Sequence, residues 1–464
     1  MDRIFFNKKS IYLIIILSFF ISLTLSKNYL TTYDLSINKD FNQKIEHPMI
    51  KASINNHWYE ANEIINDINK GKNFFISGAE YDEFLPQRLL ALYYLIINEN
   101  ILDQNNKLEI KNKKLGFLVI HTIFFYLSLF YLTKVLIKKF PLKNVFLTIA
   151  FISLEPTIFQ YHSSFYNESY VFPLQIFLFG LLIQNKRGLV PNFTIGILLG
   201  LMYCFGTEFL LYFIPVSIYI TLVLKKKSLI PIVSLLIGLG FIFSLISLHN
   251  FLRVNNSYFA TEGSKTAFYV YIAPSVYADK KKISLLEAKE LMLQDMKNWA
   301  IRNNIILNNP NTYSVMNIVT NKEDEIKFLN YLQRTSLEIM INSPYYLAKY
   351  VFKKTVHALT LDPFYIKNFY KYDSGGKNKY YGSKDQRENI PYRIFYSFVL
   401  YLIILRGAYN LIKSKEINII NLVLLLFLYQ VIVLGWMGTN RYLMPILIYS
   451  SIFFSFGIFP KKNY

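Results

Sequence analysis

The stretch Leu189–Lys227, LVPNFTIGILLGLMYCFGTEFLLYFIPVSIYITLVLKKK, decides the class of fold. Two apolar runs, 189–205 and 208–224, are separated by Gly206 and Thr207 alone and closed by three consecutive lysines. At about 1.5 Å of helical rise per residue, runs of this length approach the ~30 Å hydrocarbon core of a bilayer. The stretch therefore reads as a helical hairpin that crosses a membrane twice, turns at Gly206 and returns to a basic margin.

The same pattern repeats on both sides of it. Apolar runs at about Ile11–Ser26, Leu115–Leu132, Val145–Gln160 and Tyr170–Ile183 precede the hairpin, and runs at about Leu229–His249, Pro391–Ile412, Ile417–Leu434 and Tyr442–Phe459 follow it. Basic clusters fall at every second boundary: Lys8 and Lys9; Lys134, Lys138, Lys139 and Lys143; Lys186 and Arg187; Lys225–Lys227; Lys413 and Lys415; Lys461 and Lys462. All of them fall on one face if there are ten spans, and by the positive-inside rule that face and both termini are cytoplasmic. Arg3, Lys8 and Lys9 before Ile11–Ser26 resemble a signal peptide, but no small-residue cleavage site follows, so an uncleaved first helix is expected.

The expected fold class is thus an all-α polytopic membrane protein with about ten transmembrane helices and two extracytoplasmic regions. Residues 1–249 form an N-terminal membrane part of about seven spans that includes a first outer loop, 27–114. Residues 250–390 form an extracytoplasmic region, with amphipathic patterns near Leu285–Asn298 and Glu323–Ile341, and 391–464 a C-terminal membrane part of about three spans. The segment Tyr345–His357, carrying Lys349, Lys353 and Lys354, reads as an amphipathic helix lying on the membrane.

Composition agrees. The chain is 53% hydrophobic and 17% aromatic over 464 residues, with a mean hydropathy of +0.27. A net charge of +20 would suit nucleic acid, but the lysines sit between apolar runs, where topology and membrane lipids account for them, so no nucleic-acid partner is expected. The single cysteine, Cys204, excludes an intramolecular disulfide and a thiolate metal cluster.

Ionisable residues on the outer face are the candidates for chemistry, because charge at or near membrane depth is costly and marks a site by default. The densest group is in Ser77–Arg88, SGAEYDEFLPQR, where Glu80, Asp82 and Glu83 lie within four residues of a turn that leads through Pro86 into a short helix. Such proximity raises at least one carboxyl pKa if the site is partly dry. Glu155 near the outer end of the third run, His162 and Glu168 after it, Glu208 at the start of the sixth, and Arg441 with Tyr442 at the start of the last fall on the same face.

Three motifs in this order carry a resemblance to a family: EYDEF (Glu80–Phe84), EPTIFQYHSSFYNESYVFP (Glu155–Pro173) and GTNRYLMP (Gly438–Pro445). The chain resembles the GT-C superfamily of integral-membrane glycosyltransferases, which includes the protein mannosyltransferases and the aminoarabinose and Rgt-type lipopolysaccharide glycosyltransferases. The resemblance implies transfer of a sugar from a polyprenyl-phosphate donor to a lipid, glycan or protein acceptor outside the cytoplasm. It implies Asp82 as catalytic base with Glu83 in support, and Glu80, Arg88, Glu155, His162, Glu168, Glu208, Arg441 and Tyr442 around the substrates. A carboxylate can take the proton of an attacking hydroxyl, and a guanidinium can grip phosphate oxygens bidentately. Clustered carboxylates can also hold a divalent cation, but their spacing here does not specify one, so no cofactor is expected. A lipid-linked polysaccharide polymerase or ligase shares the donor class, and a transporter the polytopic architecture. The former places its catalytic groups in a late outer loop and the latter near mid-membrane.

The orientation has a direct check. A cysteine introduced by Asn55→Cys should react with a membrane-impermeant maleimide applied from outside, and one introduced by Lys138→Cys should not; the opposite pattern inverts the topology.

Overall fold

The computed structural model describes residues 6–37, 61, 63–77, 85–97, 111–155, 158, 168–184, 188–254, 268–307, 322–360, 390–431 and 440–460. Its secondary structure is helical. In chain order the described helices are α1 (Lys8–Ile37), the short α2 (Pro86–Ile96), α3 (Lys111–Leu136), α4 (Leu142–Leu154), α5 (Glu168–Gln184) and α6 (Leu189–Phe205). A 3-10 helix, Thr207–Tyr212, follows, then α7 (Phe213–Leu224) and α8 (Leu229–Val254). Beyond it come α9 (Ala273–Lys281), α10 (Leu285–Arg302), α11 (Lys322–Ile341), α12 (Pro344–Leu359), α13 (Ile390–Lys413), α14 (Ile417–Tyr429) and α15 (Asn440–Ile458).

The protein is an all-α polytopic membrane protein. Gly116–Leu136, Phe209–Lys227, Leu229–Leu252 and Pro391–Lys413 are long and apolar enough to cross a membrane, and 142–154, 169–184, 189–205, 417–429 and 445–458 are shorter apolar helices. Side chains such as Leu13, Phe20, Ile237, Phe395 and Phe398 remain apolar and exposed, as a surface covered by lipid tails requires.

One expected run is cut short. The apolar sequence suggested helix to about Gln160, yet α4 stops at Leu154, and Glu155 has φ −60° and ψ 123°. Proline follows Glu155, and its ring disfavours helical geometry in the preceding residue. The carboxylate is thereby turned out of the helix at its end.

The helices pack as neighbouring pairs, most closely α6 with α8, α13 with α15, and α3 with α5. The α6–α8 contact is a backbone approach. A Cβ added to Gly196 would lie 2.0 Å from the Leu235 carbonyl oxygen, and one added to Gly238 would lie 2.3 Å from that of Phe193. Small residues allow such approach where lipid gives no hydrophobic drive for association, leaving van der Waals contact to hold the helices. With the helices in this register, Tyr203 and Cys204 of α6 pack on Ile242 and Ile246 of α8.

At the lysine end of the bundle, Asn144 donates to the carbonyls of Ser455 (3.2 Å) and Phe459 (2.9 Å), tying α4 to α15. Lys139, in the turn before α4, donates to the Ile183 carbonyl. Burial pushes its ammonium pKa down, and Glu416 opposes that shift.

Helices α9 to α12 have apolar clusters of their own. Tyr269, Ala273, Met292, Met296, Phe328 and Leu332 form one, and Ile272, Val276, Met340 and Tyr350 the other. Ser284 caps α10 by accepting from the Glu287 N–H at 3.1 Å. Lys349 of α12 pairs with Asp279 of α9 at 3.0 Å, and that hydrogen bond raises the lysine pKa. The amphipathic patterns read in the sequence near Leu285–Asn298, Glu323–Ile341 and Tyr345–His357 correspond to α10, α11 and α12.

The Gly196 contact yields a prediction. Gly196→Leu forces α6 and α8 apart, at about 1–3 kcal/mol for an overpacked contact, and lowers the thermal midpoint in detergent. An unchanged midpoint would mean that the backbones do not meet at this position.

Candidate active site

The corner at Gly206 is built by the end of α6. Gly206 is extended (φ −169°), and its N–H still bonds back to Met202 and Tyr203 at 3.0 and 3.2 Å. The chain then enters the 3-10 helix that carries Glu208. Three other elements are fastened here. The Leu85 N–H donates to the Cys204 carbonyl at 3.1 Å, which joins the start of α2 to the end of α6. Tyr170, two residues after Glu168, stacks on Phe205 with ring centres 4.7 Å apart and planes 11° from parallel. Tyr212, the last residue of the 3-10 helix, donates from its hydroxyl to that of Tyr449 on α15 at 2.8 Å.

Around this corner the buried polar groups are linked. Gln430 donates to the Tyr212 hydroxyl at 3.4 Å, so α14, α15 and the 3-10 helix meet at one phenol. His121 of α3 lies 3.1 Å from the Ser169 hydroxyl, with its ring 4.1 Å from Tyr170 and 4.4 Å from Phe117. Aromatic rings at such separations supply packing, and their polar tips form the bonds that burial demands.

The described segments on either side of residues 78–84 are both fastened near this corner. On one side Asn73 organises a turn, accepting from the Phe75 N–H at 2.8 Å, while its carbonyl accepts from the Ser77 hydroxyl at 2.7 Å. On the other, α2 starts with Pro86 at its first turn, where a missing N–H costs nothing, and buries Gln87 and Arg88. The Arg88 guanidinium donates to the Ser77 carbonyl at 3.3 Å and lies 3.4 Å from Nε2 of His249 on α8. His249 Nδ1 meets the Phe75 carbonyl.

Glu155 occupies a second junction. It is 4% exposed, and its carboxylate oxygens accept from the Ile158 N–H at 2.8 Å and the Tyr396 hydroxyl at 3.0 Å. Tyr396 lies in the second turn of α13, a helix on which Arg393 donates to the Thr360 carbonyl at 3.2 Å and Tyr401 to that of Leu359 at 3.0 Å. The end of α12 and the start of α13 are therefore joined beside the end of α4.

Of the residues singled out in the sequence, Glu80, Asp82, Glu83 and His162 lie outside the described residues. Glu168 begins α5, Glu208 is the second residue of the 3-10 helix, and Arg441 and Tyr442 lie in the first turn of α15; for these the backbone position is what is described. Arg88 and Glu155 have described side chains and bond to different elements, α8 and α13. Among the described residues, no three His, Cys, Asp or Glu side chains are grouped as metal ligands. His121, His249, Tyr212, Tyr396 and Gln430 were not singled out. Histidine or glutamine within an otherwise apolar run was the available signal.

No family model matches the sequence, and no curated protein matches it. Among solved structures, the chain is similar to the archaeal oligosaccharyltransferase AglB from Archaeoglobus fulgidus in complex with an inhibitory peptide and a dolichol-phosphate, at 12% identity and a TM-score of 0.45, over 96% of this chain and 50% of that one. It is also similar to the A. fulgidus oligosaccharyltransferase tethered to an acceptor peptide with the NVT sequon (13%, TM-score 0.41, 98% and 50%) and to its apo form (13%, 0.41, 99% and 51%). The chain spans about half the length of these solved structures.

Proposed function

We propose that this protein is a membrane glycosyltransferase of GT-C type. It transfers a sugar from a polyprenyl-phosphate donor to a lipid, glycan or protein acceptor on the extracytoplasmic face, and the lysine end of the bundle is cytoplasmic. The observation that supports the reading is that segments next to the acidic stretch and to Glu168 are fastened at the end of α6, and that the 3-10 helix bearing Glu208 is tied through Tyr212 to the helix bearing Arg441. In the sequence, Asp82 precedes by three residues the Leu85 whose N–H is anchored on the Cys204 carbonyl. Arg441 precedes Tyr449 by eight residues of α15, about 12 Å along the axis from the bond to Tyr212.

The roles follow from charge. Asp82 accepts the proton of the acceptor hydroxyl as its oxygen attacks the anomeric carbon. The bond from that carbon to the phosphate oxygen breaks, and the electron pair leaves with the polyprenyl phosphate. One such displacement inverts the anomeric centre without a protein nucleophile. Arg441 faces the charge that develops on the leaving phosphate, where a fixed guanidinium stabilises it best. Glu83 supports the base, while Glu80, Glu168, Glu208, His162 and Tyr442 line the substrates, and Arg88, buried against Ser77 and His249, holds the flanks of the acidic segment. Glu155, engaged by Tyr396 and by the turn at Ile158, holds the start of the segment that carries His162 and Glu168. No metal is assigned a role.

Purified protein supplied with a polyprenyl-phosphate sugar and an acceptor tests this. Asp82→Asn should fold and insert normally, yet lose roughly 10²-fold or more in turnover, the scale of general-base catalysis. Arg441→Lys should weaken donor binding, since an ammonium cannot reproduce the planar fork. Near-normal transfer by well-folded Asp82→Asn, Glu83→Gln, Glu80→Gln and Glu168→Gln alike would overturn the mechanism. Extension of a lipid-linked glycan by these variants, dependent instead on late-loop residues, would favour a polymerase or ligase.

A further inference from the structure

His249 lies at the outer end of α8, is fully buried, and belongs to none of the sequence motifs. Its two ring nitrogens face opposite kinds of partner. Nδ1 meets the Phe75 carbonyl, which can only accept, so Nδ1 carries a proton. Nε2 lies 3.4 Å from a terminal nitrogen of Arg88, which can only donate, so Nε2 must present its lone pair. The two contacts together specify a neutral imidazole in its Nδ1–H form. The T-shaped packing of Phe75 on the ring, with centres 5.4 Å apart, fixes its plane.

The same Arg88 nitrogen donates to the Ser77 carbonyl. Ser77 and Leu85 are the described residues on either side of the acidic segment, and Arg88 lies in the first turn of the helix that Leu85 begins. One imidazole thus joins three chain segments: the turn at Phe75–Ser77, the start of α2, and the end of α8.

We propose that His249 is a positioning residue which, acting through Arg88, clamps both flanks of the acidic loop to the end of α8. The claim deepens the assignment of Asp82 as base and rests on it for its effect on catalysis. It makes separate demands on the two ring nitrogens. Glutamine can place an acceptor oxygen near the position of Nε2, keeping the bond from Arg88 while losing that to Phe75. Asparagine can place a donor near the position of Nδ1, keeping the bond to Phe75 while removing the acceptor that residue 249 offers Arg88.

The experiment reads the flank first and the reaction second. In full-length protein carrying Cys204→Ala, the substitution Ser77→Cys places a thiol at a position with no exposed surface. Maleimide should label it slowly when residue 249 is His or Gln, and about tenfold faster or more in His249→Asn and His249→Leu, because local opening controls access. With Ser77 and Cys204 restored, kcat for sugar transfer should fall in the Asn and Leu variants, with KM within about twofold of the parent, and recover in His249→Gln. Slow labelling of His249→Asn, or labelling of His249→Gln as fast as that of His249→Leu, overturns the clamp. Labelling that follows the expected order while kcat stays constant overturns the positioning role. If the parent protein transfers no sugar at all, the functional reading fails, and the labelling order still decides the clamp.

Discussion

The arrangement depends on the approach of two backbones, α6 and α8, at Gly196 and Gly238. Any side chain at either glycine would separate the helices, and in lipid no hydrophobic drive restores such a contact. Because the helices meet there, the ends of both, Cys204–Phe205 and His249, form a pair of fixed posts at one end of the bundle. The segments that flank residues 78–84 are fastened to both posts. Leu85 bonds to one, and Arg88 and Phe75 bond to the other.

Polarity enters this apolar bundle in a controlled way. Tyr212, Tyr449, Gln430, His249 and Ser169 are buried at or near the ends of helices or where helices meet, and each has a hydrogen-bond partner on another segment. An unmade bond in such surroundings costs more than the bond gains. These links therefore specify which helices are neighbours as much as they stabilise them. The 3-10 helix illustrates the point: its aromatic terminus, Tyr212, reaches α14 and α15, so the segment bearing Glu208 is tied to the helix that begins with Asn440 and Arg441.

The sequence made the helical architecture legible because apolar length and lysine spacing are both strong signals over many residues. The break at Gly206 between two apolar runs was visible for the same reason. What escaped were features set by one or two residues and by tertiary partners. The early end of α4 follows from the proline after Glu155, a local steric rule that hydropathy masks. His249 looked like one polar residue at the end of an apolar run, and nothing in its neighbourhood pointed to an arginine 161 positions away. Arg88 was legible as a residue type but not as a buried link between a loop and α8. Tyr396 was hidden among the aromatic residues that membrane interfaces attract in any case.

The central claim of the proposed mechanism is that residues 80–83 and the start of α15 share one corner of the molecule. Cysteines at Tyr81 and Asn440, in protein carrying Cys204→Ala, test it with a short bifunctional maleimide in native membranes, read by mass spectrometry of the joined peptides. The account predicts an efficient cross-link within one chain. Two cysteines that each react fully with a monofunctional maleimide yet never join would contradict it.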